Sequence, residues 1–171
     1  EAYGSLSQQA RTLAEDQRRL RDETANLVRA LRRPEVRGRW GEMQLRRVAE
    51  LAGMIEYVDF EEQASVDSGD GRLRPDMVVH LPSERRIVVD AKTPLDAYID
   101  SLEATDDATR LAQLKRHADQ LDHQVRQLAS KNYQQQFART PDFVVLFIPG
   151  ESFLHAAVEQ RPRLIESAME R

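Results

Sequence analysis

The sequence predicts an α/β domain in which a mixed central sheet is flanked by helices, preceded by a long helix of coiled-coil character. Three observations carry that expectation. Leu6, Leu13, Leu20 and Leu27 recur every seven residues, which is the signal of a helical seam. Short apolar runs at 76–81, 85–92 and 143–149 are bounded by turn residues, as strands are. Between them, 95–139 carries leucines and valines at helical spacing, so strands and helices alternate along the chain.

A length of 171 residues accommodates one domain with an appendage and a substantial core. The expected division is a coiled-coil-like helix over 1–33 and a domain over 34–171, with both chain ends read as boundaries within a longer protein because the sequence ends at Arg171 inside an expected helix. Hydrophobic residues make up 40% and charged residues 32%, the balance of a globular chain with long polar helices. Cysteine is absent, which excludes disulfides and thiolate metal sites. No apolar run approaches the roughly 20 residues that cross a bilayer. The net charge of −4 argues against nucleic-acid binding by bulk attraction. Its distribution says more: residues 1–53 hold eleven arginines against eight acids, whereas 54–94 hold five basic groups against nine acids. A basic helical arm beside an acidic core suits a metal site that meets phosphates; a protein with no nucleic-acid role can show the same split.

From Tyr3 to Leu31 the leucine row faces a partner row containing Ala10, Gln17 and Thr24. Self-association through that seam is therefore expected to be weak, and a single amphipathic helix lying on its own domain is the other reading. Pro34 suits the first turn of a second helix, which presents Trp40, Met43, Leu45, Val48 and Leu51 and ends at Gly53. Residues 56–63 alternate as a strand. Residues 65–75 form a turn region with Gly69, Asp70 and Gly71. Strands over 76–81 and 85–92 are joined by Pro82-Ser83-Glu84, a hairpin-length link. The helical stretch 95–139 exceeds an ordinary globular helix, and Asp106–Asp107 is the expected break. FVVLFIP, residues 143–149, reads as a central strand covered on both faces, with Phe143 and Phe147 in the core. A short helix over 151–160 follows and stops at Pro162.

Two acids occupy telling places. Asp76 opens one strand of the hairpin and Asp90 ends the other, so antiparallel pairing brings them together. Two carboxylates in one low-dielectric corner repel unless one is protonated or a cation bridges them, and a hard divalent ion with oxygen ligands, Mg²⁺ or Mn²⁺, answers that. Period two puts Lys92 on the face of Asp90 and turns Ala91 to the other layer, leaving the Ala91 carbonyl as a further oxygen ligand. A metal activates water and neutralises charge on a phosphate, and Lys92 orients that water or steadies the transition state. Glu42, between Gly41 and Met43, is the expected third acid from a helix, with Gly38 and Gly41 allowing close approach; solvent exposure or an i,i+4 pair with Arg46 is its alternative. A turn or cap role for Asp76 and a surface role for Lys92 are the corresponding alternatives.

At Pro75–Asp76 and Asp90-Ala91-Lys92 the chain resembles the PD-(D/E)XK nuclease superfamily. More closely, through GRWGEMQLRRVAELAGM, DGRLRPDMVVHLP, RRIVVDAKTPLDAY, HADQLDHQVRQLASKNY and TPDFVVLFIPGESFLHAA, it resembles the RmuC family of bacterial DNA recombination proteins. The resemblance implies a restriction-endonuclease-like core, DNA as partner, Mg²⁺ or Mn²⁺ as cofactor, and cleavage that limits DNA inversions or rearrangements. It assigns Asp76, Asp90 and Lys92 to metal and catalytic positions, with Glu42 as the helix acid. It further implies a cytoplasmic bacterial protein, a nuclease-like domain over 34–171 that continues past Arg171, a homo-oligomer through the N-terminal helix, and inner-membrane contact only through a segment that this sequence lacks.

Arg72 and Arg74 precede the first acid, and their guanidinium forks match phosphate oxygens; a surface reading has equal weight. His117, Gln120, Gln124 and Lys131 share one side of the long helix, as groups that support the metal site or face DNA, or as an ordinary surface. Trp40 is read as core packing rather than as a platform for a base. Two functions follow from the residues: a metal-dependent deoxyribonuclease, and a non-catalytic DNA-structure-binding or scaffolding module that keeps the fold. A purely structural oligomer, supported by the heptads alone, is a third.

Overall fold

A computed structural model describes residues 30–60, 75–92, 94–130 and 143–170. The heptad leucines Leu6 to Leu27, the turn region 65–74 with Arg72 and Arg74, and Lys131 with Asn132 and Tyr133 lie outside the described residues. The chain divides into two compact units, Glu1–Arg37 and Gly38–Arg171. In the first, Leu31 is buried and Pro34 opens a helix, α1 (Pro34–Leu51), where its missing N–H costs no bond.

In the second unit, α1 ends as its sequence dictates. Gly53 takes a positive φ of 66°; its N–H donates to Glu50 O at 3.0 Å and the Met54 N–H to Ala49 O at 2.9 Å. Those two bonds are the Schellman closure that glycine permits. A four-stranded sheet follows, with β1 (Val58–Phe60), β2 (Met77–His80), β3 (Arg86–Asp90) and β4 (Val145–Leu146) in that spatial order. β1–β2 and β2–β3 are antiparallel and β3–β4 is parallel, the mixed sheet expected. The β2–β3 link turns with Ser83 and Glu84 at φ of 66° and 60°, left-handed conformations that cost non-glycine residues energy.

Two layers clothe the sheet. Leu45 and Ala49 of α1 pack with Val58, Met77, Val79, Val89 and Ala91 on one face. Val88, one step out of phase with Val89, packs on the other face against Leu128 of α3 (Asp107–Ser130). Before it, α2 (Asp96–Glu103) packs on α3. The expected break is real: the Asp106 carboxylate accepts the Thr109 N–H at 2.8 Å, which caps the start of α3. α4 (Glu151–Gln160) and α5 (Leu164–Met169) close over α3, with Ala157 and Leu164 against Ala118 and Leu121.

One strand differs from expectation. FVVLFIP is not a central strand among the described residues: only Val145 and Leu146 pair, at the sheet edge. Phe147 N–H extends the ladder by one bond to Asp90 O at 2.9 Å. Phe143 is 56% exposed, so it is not a core residue, whereas Phe147 does pack on the α1-side core. The apolar run satisfies helices as much as strands, since Leu146 and Ile148 join the cluster beneath α3 and α4.

Candidate functional site at the strand ends

The hairpin register fixes the site. Met77 pairs with Val89 and the Asp76 N–H donates to Val89 O at 3.2 Å, which sets Asp76 beside the end of β3. Its carboxylate then turns back: Oδ2 accepts the Ala91 N–H at 2.6 Å. Pro75, fully buried, anchors the chain immediately before. Period two carries Asp90 onto the Val88 face, where it is only 3% exposed. Its Oδ1 atom has no hydrogen-bond partner, although the residue as a whole is engaged by its neighbours. Ala91 packs into the opposite layer and Lys92 is exposed, both as the alternation requires.

α1 meets this corner through backbone. A Cβ placed on Gly41 would lie 3.3 Å from the Ala91 carbonyl oxygen, tighter than ordinary van der Waals contact, so glycine lets the helix approach the strand end. Gly38 has nothing within 4 Å of such a Cβ; the helix overhangs there and the expected close approach is Gly41's alone. The next residue, Glu42, is half-buried. Its carboxyl titrates above its ordinary value, first because burial strips water from the charged form, then because the negative charge of Asp76 acts on it, with Arg39 opposing. Glu42 therefore shares an electrostatic environment with Asp76.

The donor chemistry suits a hard divalent ion, since Glu42, Asp76, Asp90 and the Ala91 carbonyl offer only oxygen. The spacing does not complete the case. No group of three His, Cys, Asp or Glu side chains among the described residues is gathered so as to hold a metal, and one oxygen of Asp76 is committed to the Ala91 N–H.

The helix behind Asp90 is more buried than its polarity suggests. His117 is fully buried, its Nε2 is 2.9 Å from the Phe153 carbonyl oxygen, and Tyr98 lies tilted against its ring at 5.4 Å. It is an interior group, so the DNA-facing reading of His117 does not hold. A carbonyl only accepts, so Nε2 carries a proton; the buried Nδ1 has no hydrogen-bond partner, nor has Oε1 of Gln120. Gln120 and Gln124 are half-buried. Trp40 packs edge-on against Phe153 at 6.1 Å, in line with the packing role expected.

Two features escaped the sequence reading. Asp122, buried on α3, accepts the Arg161 guanidinium and binds Arg126 at 2.8 Å, while Arg161 also reaches Asp119 at 2.6 Å. Arg161 is the residue after α4 and its N–H donates to Ala157 O and Val158 O, so one residue closes α4 and ties it to α3. The three-residue spacing of Asp119 and Asp122 was visible, but their partner lies 39 residues beyond Asp122. The other is Arg39, whose charge bears on Glu42 and whose helical spacing of three from that acid was legible.

The sequence profile of the RmuC family matches residues 1–171. A DNA recombination protein RmuC homolog of Zymomonas mobilis is 45% identical over 99% of this chain and 38% of its own length. The homolog of Pseudomonas aeruginosa is 37% identical over 96% of this chain and 37% of its own. DNA recombination protein RmuC of Escherichia coli is 36% identical over 99% of this chain and 38% of its own. The chain thus spans under two fifths of the curated relatives it matches. No solved structure matches it.

Proposed function

Because this chain belongs to the RmuC family of DNA recombination proteins, we propose that it serves recombination by holding DNA at the β2–β3 strand ends, as a DNA-structure-binding module on a nuclease-like scaffold. The observation that carries this reading is the Asp76 carboxylate closed onto the Ala91 N–H at 2.6 Å. That bond spends one carboxylate oxygen on the protein's own backbone and makes a fixed corner from which the exposed Lys92 projects. Multivalency through the N-terminal helix would add avidity, and a role on DNA would have the protein work in the bacterial cytoplasm.

Hydrolysis of DNA phosphodiester bonds is the second reading, favoured by the burial of Asp90 beside Asp76 and by the electrostatic tie between Asp76 and Glu42. In it, Glu42, Asp76, Asp90 and the Ala91 carbonyl are the ligands for Mg²⁺ or Mn²⁺ and Lys92 steadies the scissile phosphate. A metal there would supply a water nucleophile active at neutral pH.

A single screen separates the two. Full-length protein and its Lys92→Ala variant are offered linear, hairpin, single-stranded and branched DNA with Mg²⁺, Mn²⁺ or EDTA. The binding reading expects complexes in EDTA that are weakened but not abolished by Lys92→Ala, and no cleavage in any arm. Cleavage that requires metal and disappears in Lys92→Ala would establish the hydrolytic reading, and failure to bind any DNA would overturn both.

A further inference from the structure

We infer that Arg39 and Arg46 form a phosphate-gripping stripe on α1, each taking a separate phosphate of a DNA strand laid along the helix beside the strand-end site. The inference rests on the proposal that this site engages DNA, and it names the surface that does the holding.

The helix register makes the stripe. Gly41, Leu45 and Ala49 are the buried face of α1, fixed to the sheet by the approach of Gly41 to the Ala91 carbonyl and by the packing of Leu45 and Ala49. Glu42 stands at the border of that face, half-buried. Three residues before it and four after it, on the same side, come Arg39 and Arg46, both exposed. Arg39 thus lies one helical turn from Glu42, on the flank of α1 that borders the acidic corner. Lys92 is exposed at the end of the strand against which α1 rests.

Charge explains why such a stripe is needed. Asp76, Asp90 and Glu42 together repel a phosphodiester, so DNA approaches this corner only if cations flank it. Seven residues of helix separate the two arginines by about 10 Å. That distance exceeds the roughly 3.4 Å of axis between successive phosphates of one strand. The two side chains consequently address different phosphates, and each releases its own counterion. Arg47 is the internal control: it lies about 100° further round the helix than Arg46.

The test is the salt dependence of binding of full-length protein to a labelled duplex in EDTA, for wild type, Arg39→Gln, Arg46→Gln and Arg47→Gln. Removing one cation that neutralises a phosphate lowers the slope of log K against log salt by about 0.9. Arg39→Gln and Arg46→Gln are expected to lose about that much each, with weaker binding, while Arg47→Gln keeps the wild-type slope. Thermal unfolding of the variants controls for folding, which exposed arginines should leave unchanged. If wild type binds DNA and the slopes of Arg39→Gln and Arg46→Gln do not fall, or Arg47→Gln falls equally, the stripe is overturned while DNA binding stands. If wild type does not bind, the underlying functional proposal is overturned with it.

Discussion

The Asp76 carboxylate and the Ala91 amide, fifteen positions apart in the chain, meet at 2.6 Å and so join the start of β2 to the residue after β3. An amide that loses such an acceptor in a partly buried corner costs about 1–3 kcal/mol. Asp76→Ala should therefore destabilise the domain by about that amount in urea unfolding. Asp76→Asn retains an acceptor oxygen and should lose less than half as much. Equal losses in the two variants would show that the charge, not the bond, is what the corner uses.

Glu42 yields a pH prediction. Its folded carboxyl is raised by burial and by Asp76, so the folded state binds a proton more readily there than the unfolded chain does. Stability from this group is complete below the ordinary glutamate range and is lost as pH rises through the raised folded value. Glu42→Gln should accordingly raise the unfolding midpoint at neutral pH, with the advantage vanishing in acid. A midpoint gain that is constant from pH 4 to pH 8 would point to packing instead.

The α3–α4 clamp is asymmetric. Asp122 has a side chain 7% exposed and receives two arginines, whereas the Asp119 side chain is 65% exposed. Removing a buried partner of an ion pair costs about 3–5 kcal/mol, less here because Arg161 is partly solvated; an exposed pair contributes about 0–1 kcal/mol. Chemical denaturation of Asp122→Ala and Asp119→Ala should show a large loss in the first and a small one in the second. Similar losses would mean that Arg161 acts chiefly through Asp119.

What the sequence disclosed depended on how local the cause was. The hairpin, the Gly53 terminus and the Asp106 cap are written in neighbouring residues, and all three formed as expected. The order of acids on paired strands was likewise legible, because register follows from a short link between two apolar runs. FVVLFIP was not, since an apolar run reads alike whether strands or helices bury it. His117 read as a group on a polar helix that supports the metal site or faces DNA, yet it stands four residues before Leu121, on the face that α4 covers. Gly38 and Gly41 were equivalent on paper; only the position of the strand end beneath the helix distinguishes them.

Affinity for branched and duplex DNA in EDTA, measured by fluorescence anisotropy with full-length wild type and Glu42→Gln, bears most directly on whether DNA is held at the strand ends without a bound ion. Binding is predicted in the absence of divalent metal, with log K falling linearly as log salt rises. It should tighten in Glu42→Gln, because a negative charge beside the phosphates has been removed. Binding that appears only with Mg²⁺ or Mn²⁺, or that is indifferent to Glu42→Gln, would contradict it.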